Sequence, residues 1–232
     1  MSKTKAVVLL SGGLDSTTVC ALARAKGREI YALTINYAQR NVHEIDAAKK
    51  VAQINGVAEH VILPIDLSLI GGSSLTDMSI DVAKDVPFEK IGQKIPNSYV
   101  PARNTIFLSL ALGYAEARNA NEIWLGVNQL DYSGYPDCRP EFIDAFKRLA
   151  AVATKAGVEG AKLEIMTPLL YLTKGGIIQL GTSLGVDYSI TRTCYDLDEN
   201  GLACGRCEAC LLRKNGFQEA GVPDPTPYRQ DA

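Results

Sequence analysis

Lys5-Ala6-Val7-Val8-Leu9-Leu10-Ser11-Gly12-Gly13-Leu14-Asp15-Ser16-Thr17 is the stretch on which the fold turns. Its first half is an apolar run of strand length, and from Leu14 to Lys26 the apolar residues recur at helical spacing. Two adjacent glycines sit between these elements, inside Ser11 to Ser16. Glycine lets a backbone turn sharply and approach an anion, and a helix N-terminus presents unpaired N–H groups with a favourable dipole. Ser11 and Ser16 add hydroxyl donors, and Asp15 can orient the loop or hold Mg²⁺. The loop is neither a G-x-x-x-x-G-K-[ST] phosphate loop nor a G-x-G-x-x-G dinucleotide fingerprint.

Working outward, further strands are predicted over Glu29–Ile35, His60–Ile65, Glu122–Val127 and Leu163–Met166. Helices are predicted over Val42–Asn55, Arg103–Arg118 and Pro140–Ala156, with Thr173 capping one that reaches Leu184. Strand–helix alternation, with strands apolar on both faces, predicts a doubly wound α/β fold. It has a mostly parallel sheet of about five strands flanked by helices. In such folds ligands bind beyond the carboxyl ends of the strands. The pattern breaks between Asp66 and Asn97, which reads either as a lid-like insertion or as a plain surface loop.

The chain has 232 residues, 47% of them hydrophobic and 22% charged, as expected of a globular domain. A formal charge of −2 provides no global positive field, so no nucleic-acid partner is expected. Val7 to Leu10 is too short for a signal or membrane segment, so a cytoplasmic location and no membrane partner are expected.

Cys20 and Cys138 stand alone, whereas Cys194, Cys204, Cys207 and Cys210 fall within seventeen residues. Without a secretion signal, such a cluster points to metal before disulfides. Four thiolates suit a closed, structural zinc site. An iron–sulfur cluster is the rival, although the x₃-C-P continuation of the ferredoxin run is missing. Arg192, Arg206 and Arg213 are placed to offset the charge of a tetrathiolate, which would pin the tail containing Pro223, Pro225 and Pro227. The expected division is an α/β domain over 1–190 and a small four-cysteine segment over 191–232.

The S-G-G-x-D-S loop resembles that of the ATP pyrophosphatases (PP-loop enzymes) such as GMP synthetase, NAD synthetase and tRNA-thiolating enzymes. The resemblance implies an adenine nucleotide alpha hydrolase-like fold and release of pyrophosphate from ATP. It also implies nucleotide contacts from Leu9, Leu10, Ser11, Gly12, Gly13, Leu14, Asp15, Ser16 and Thr17.

Four longer stretches narrow this: Asn36 to Glu44, Val100 to Asn104, Gly126 to Phe142, and the cysteine cluster. Together they resemble the 7-cyano-7-deazaguanine synthase family, the nitrile-forming enzymes of queuosine and archaeosine biosynthesis. One departure is visible. The family pattern after the second strand reads close to Y-G-Q-R-H, and here Ala38 and Asn41 take the Gly and His places, with His43 two residues on.

The resemblance implies a carbon–nitrogen ligase that joins ammonia to 7-carboxy-7-deazaguanine, using ATP and Mg²⁺ for chemistry and Zn²⁺ for structure. Arg103, Asp15 and Asp131 are the expected catalytic residues. Arg103 suits a phosphate or carboxylate because its planar fork binds either bidentately. Arg40, Asn104, Asn128, Tyr132, Tyr135, Asp137 and Glu141 are expected at the substrate. The tyrosines would stack on the flat ring, and one of Asp131, Asp137 or Glu141 would read its guanine-like edge. His43 and His60 are expected to have no catalytic part. A homodimer is expected. The competing reading is a tRNA sulfurtransferase with Cys138 as the sulfur carrier, or another amide-forming adenylating ligase.

Overall fold

The structure, a computed structural model, describes residues 3–41, 43–128 and 134–230. Strands β1 (Lys5–Leu9), β2 (Glu29–Asn36), β3 (Glu59–Pro64), β4 (Glu122–Trp124) and β5 (Glu164–Met166) form one sheet. Their order is β3-β2-β1-β4-β5, and every pairing is parallel. The strand order reverses between β1 and β4, so a crevice opens there at the carboxyl ends. The helices are α1 (Leu14–Ala25), α2 (His43–Asn55), α3 (Arg103–Arg118), α4 (Pro140–Ala153), α5 (Lys155–Val158), α6 (Lys174–Ser183) and α7 (Glu208–Ala220).

Residues alternate faces along each strand, and both faces are apolar. Val7, Leu33, Ile35 and Ile123 point into one core with Leu108 of α3 and Ile143 and Phe146 of α4. Ala6, Val8, Ala32 and Trp124 point into the other, with Val19 of α1, Val51 of α2, Ile177 of α6 and Phe217 of α7. The doubly wound architecture is therefore as expected.

Most element ends fall within a residue of expectation; the ends of β4 and α4, and one whole helix, differ further for local reasons. β4 ends at Trp124 because the chain must pass closely over the first turn of α1. A Cβ at Gly126 would lie 3.1 Å from the carbonyl carbon of Asp15. α4 stops at Ala153 because Thr154 is extended (φ −125°, ψ 154°) and caps α5, its Oγ1 accepting from the Gly157 N–H at 3.0 Å. α7 was not foreseen. Its buried face includes Cys210, Arg213 and Gly216 beside Leu212 and Phe217, a mixture that hides the apolar period.

The 66–97 insertion is anchored at several points. The Ser74 N–H donates to the Asn97 carbonyl at 2.8 Å, Lys84 forms a bridge with Cys207, and the Asp85 N–H donates to Arg206 O at 2.9 Å. Among the described residues, no helix is long and apolar enough to cross a membrane.

Candidate active site

The glycine loop is held in shape by its own serines. Ser11 Oγ and Ser16 Oγ lie 3.0 Å apart, and the Gly13 N–H donates to Ser11 Oγ at 3.2 Å. Thr17 Oγ1 donates to the Gly13 carbonyl at 2.8 Å. Gly12 adopts φ +86°, and a Cβ there would strike the Glu44 carbonyl oxygen and lie 2.6 Å from the Ala48 nitrogen. The loop thus presses against the first turn of α2, which only glycine permits. Its other flank is fixed by the Arg192 N–H, which donates to the Gly12 carbonyl at 3.0 Å. The first turn of α1, at Leu14, Asp15 and Ser16, lines a cavity, where a helix N-terminus suits an anion.

That cavity, of about 220 Å³, lies at the β1/β4 crevice. Of the residues expected at the nucleotide, Leu9, Leu10, Ser11, Gly13, Leu14, Asp15 and Ser16 line it. Gly12 and Thr17 lie beneath the loop and shape it. Arg103, Asn104, Arg40, Asn128 and Tyr135 also line the cavity, brought there from three separate segments. Asp131 and Tyr132 lie outside the described residues.

Several expected site residues carry structural duties. Both carboxylate oxygens of Asp15 accept from Lys174 Nζ, at 2.8 and 2.9 Å, so the orienting role is the one with visible contacts. Arg40 donates to the carbonyls of Ser74 (3.1 Å) and Ile80 (2.9 Å), holding the insertion. Asn104 donates twice to Asp137, its backbone N–H to Oδ2 at 2.9 Å and its Nδ2 to the carbonyl at 3.0 Å. This pair of bonds braces the start of α3. Asp137 is buried and lies off the cavity wall, and Glu141 is exposed on α4, also off the wall. Asn128 Nδ2 donates to Leu169 O at 2.9 Å. Tyr135 is buried, its hydroxyl 2.9 Å from Ser98 Oγ.

Arg103 is half-buried, with Nη1 donating to Tyr37 Oη at 3.4 Å and the guanidinium carbon 5.9 Å from that ring's centroid. The departure from the family pattern has a structural reading. Ala38 has φ +61°, a conformation suited to glycine. Asn41 Oδ1 accepts the His43 N–H (3.0 Å) and its Nδ2 donates to the Cys194 carbonyl (3.0 Å), tying α2 to the cysteine segment. His43 and His60 are absent from the cavity wall, and His60 Nε2 lies 2.8 Å from Thr34 Oγ1.

Glu44, Lys174 and Tyr195 were not expected at the site, and Arg192 was expected only beside the cysteines. Glu44, Arg192 and Tyr195 line the cavity, and Lys174 reaches it through Asp15. Burial pushes the Glu44 carboxyl up to about 8, with the Arg103 charge opposing that rise. Burial likewise pushes the Cys138 thiol up to about 12, so at neutral pH it is a poor nucleophile.

Away from the cavity, the sulfurs of Cys194, Cys204, Cys207 and Cys210 lie within 4.8 Å of one another, and all four residues are buried. The Cys204 N–H donates to Cys194 Sγ at 3.2 Å and the Cys207 N–H to Cys204 Sγ at 3.3 Å. Zinc–sulfur bonds of about 2.3 Å put tetrahedral sulfurs about 3.8 Å apart, so the donor set fits such an ion. The arginines expected beside it are engaged elsewhere. Arg213 pairs with Asp224 at 3.0 Å, Arg206 pairs with Asp85, and Arg192 Nη1 donates to Ser189 O at 2.9 Å.

A family model described as queuosine biosynthesis protein QueC matches residues 5–221. The chain is 57% identical over 229 residues to a 7-cyano-7-deazaguanine synthase of Desulfatibacillum aliphaticivorans, covering 98% of each. It is 59% identical to one of Solidesulfovibrio magneticus, covering 97% of this chain and 96% of that protein. Among solved structures, a 4-thiouridine synthetase in complex with RNA and ATP is similar in fold at 18% identity. Its TM-score is 0.50, with 97% of this chain and 47% of that one covered. With the loop, the crevice and the cysteine cluster all in place, the chain belongs to the QueC family of queuosine biosynthesis proteins.

Proposed function

We propose that this chain is an ATP-dependent carbon–nitrogen ligase that converts 7-carboxy-7-deazaguanine and ammonia to 7-cyano-7-deazaguanine. The observation that carries the reading is the convergence on one cavity of the pyrophosphate-type loop, Arg103 and the segments following β2 and β4. The α/β domain of 1–190 supplies the loop and the proposed catalytic residues, and the four-cysteine segment of 191–232 serves structure while closing the cavity with Arg192 and Tyr195.

A carboxylate resists ammonia until one oxygen becomes a good leaving group. In this reading the first-turn amides of α1, with Ser11 and Ser16, hold the β and γ phosphates while the carboxylate oxygen attacks the α phosphorus. Pyrophosphate leaves, and the acyl-adenylate reacts with ammonia to give the amide and AMP. A second ATP activates the amide oxygen, and loss of AMP leaves the nitrile. Two ATP therefore become two AMP and two pyrophosphate. Arg103 neutralises charge on the phosphate or the carboxylate, and Asp15, fixed by Lys174, sets the loop. Mg²⁺ bound with ATP would supply charge neutralisation at the phosphates. Asp131 and Tyr132 keep their proposed places at the substrate. Zinc on the four cysteines would act as a cross-link. A homodimer in the cytoplasm completes the proposal, the dimer being checked by light scattering.

The sulfurtransferase reading needs a reactive thiol in the cavity, and Cys138, buried and accepting from Asn104 Nδ2 at 3.3 Å, is a poor one. The deciding experiment is mass spectrometry of the product formed from 7-carboxy-7-deazaguanine, ATP, Mg²⁺ and ammonium. The nitrile is expected, with two AMP per turnover. Amide as the final product would point to another amide-forming ligase, and neither product would overturn the assignment.

A further inference from the structure

Two carboxylates of the described residues line the cavity, Asp15 and Glu44. They differ in what they have available. Asp15 has each oxygen within 2.9 Å of Lys174 Nζ. Glu44 lies in the first turn of α2, half-buried, in the turn whose backbone packs on Gly12 of the loop. Among the described residues its carboxylate has no hydrogen-bond or ion-pair partner, unlike that of Asp15, and it lies beside the site where phosphates would be held.

The ligase reading creates a demand for such a group. When ammonia displaces AMP, a C–N bond forms, the C–O bond breaks with its electron pair going to AMP, and the nitrogen must lose a proton. In the last step the N–H of the adenylated imidate breaks, the C–O bond again breaks toward AMP, and the third C–N bond forms. Both steps release a proton from nitrogen and need an acceptor beside the reacting carbon. We propose that Glu44 is the catalytic base that takes these protons, a role that rests on the ligase reading above.

The groups acting on Glu44 fit the role. The charge of Arg103 from α3 bears on it, and its own charge bears on Tyr37 after β2. Asp15, Arg40, Arg192 and Tyr195 face the same cavity from the loop, the β2–α2 connection and the C-terminal segment. Asp15 and Arg40 are already engaged, by Lys174 and by insertion carbonyls. A base works best when its affinity for the proton is near the working pH, and burial has brought Glu44 into that range.

The test uses the metal-loaded, full-length protein and two assays. One is carboxylate-dependent exchange of labelled pyrophosphate into ATP, which reports adenylation and needs no base at nitrogen. The other is conversion of the 7-carboxamide to the nitrile, which needs the base and avoids the titration of ammonium. Glu44→Gln is expected to keep exchange within about threefold of wild type and to lower the carboxamide kcat about 100-fold or more. The rise of wild-type kcat/KM toward pH 8 should vanish in this variant. Glu44→Asp should retain the rise at reduced rate, and it carries the test should the glutamine variant fail to fold. Wild-type carboxamide turnover and pH profile in E44Q would overturn the proposal. So would loss of both assays together, which would assign Glu44 to ATP binding. So, too, would a raised KM for the carboxamide with kcat unchanged, which would make Glu44 a reader of the ring edge. Absence of exchange in the wild-type protein would remove the ligase reading itself, whereas a defect confined to E44Q concerns Glu44 alone.

Discussion

Lys174 is 5% exposed and meets both oxygens of Asp15, whose side chain is itself mostly buried. Removing one partner of a buried pair leaves the other charge unpaired, which destabilises far more than the pair itself contributes. Lys174→Met should therefore cost about 3 kcal/mol in urea unfolding and abolish pyrophosphate exchange. The double variant Asp15→Asn with Lys174→Met should recover most of that stability while remaining inactive, because the loop loses its orienting group. If the double variant is no more stable than the single one, the pair is not what holds Asp15. Glu44 gives a prediction of opposite character. Its carboxyl is raised from the ordinary 4.5 to about 8, so the folded state keeps a proton that the unfolded chain releases between those values. Stability linked to this group is full below about 4.5 and is lost as pH rises through about 8. Glu44→Gln, which cannot ionise, should thus gain on wild type across that window and level off above it, as read by thermal unfolding at several pH values.

At the scale of elements, the meeting of α1, α2 and β4 around the loop explains which parts of the molecule the sequence revealed. Strands buried on both faces print their character locally as apolar runs, and the loop's glycines and serines lie within six consecutive positions. The nucleotide half of the site was therefore readable. The Asp15–Lys174 contact joins residues 159 positions apart, and no local pattern announces it. Glu44 lies in the stretch after β2, but its distinction comes from burial beside Arg103, which arises because the N-termini of α2 and α3 line one cavity from opposite faces of the sheet. α7 escaped because a buried arginine and a glycine occupy its inner face. That glycine has a function. A Cβ at Gly216 would fall 2.8 Å from Lys174 Cβ, so α7 leaves room for the lysine that orients the loop. The tightest interlock is at Gly12, and it can be tested against a control of similar backbone geometry. Gly12→Ala combines a positive φ with a clash into α2 and should cost about 3 kcal/mol or more, with loss of pyrophosphate exchange. Gly27→Ala, at φ +72° with nothing within 4 Å of the added methyl, should cost only about 1 kcal/mol and leave exchange intact. Equal losses at the two positions would show that φ alone, and not the approach of α2, sets the requirement for glycine.

Across the whole molecule, the four-cysteine cluster sits where three otherwise separate parts meet. Cys207 bridges Lys84 of the insertion, Ala203 exchanges backbone hydrogen bonds with the tail at Pro227 and Arg229, and Cys210 lies on α7. Cys194 adjoins Tyr195 and Thr193 of the cavity wall, and its carbonyl accepts from Asn41 at the start of α2. An ion bound to these sulfurs would therefore fasten the insertion, the tail and the back of the cavity with one set of bonds. Closed tetrathiolate sites contribute folding free energy outright, so metal removal should act on stability before it acts on chemistry. Elemental analysis of the purified protein should give one zinc per chain; iron with acid-labile sulfide would overturn that assignment. Stripping the metal with a chelator should lower the melting temperature by several degrees. It should also speed amide hydrogen exchange at 84–85 and 203–210, while the sheet amides of β1 and β2 keep their protection, because the two apolar cores of the α/β domain contain none of these cysteines. Cys207→Ser should reproduce both effects without chelator. If protection were lost uniformly through the sheet instead, the segment would be an inseparable part of the core and not a clasp fastened onto it.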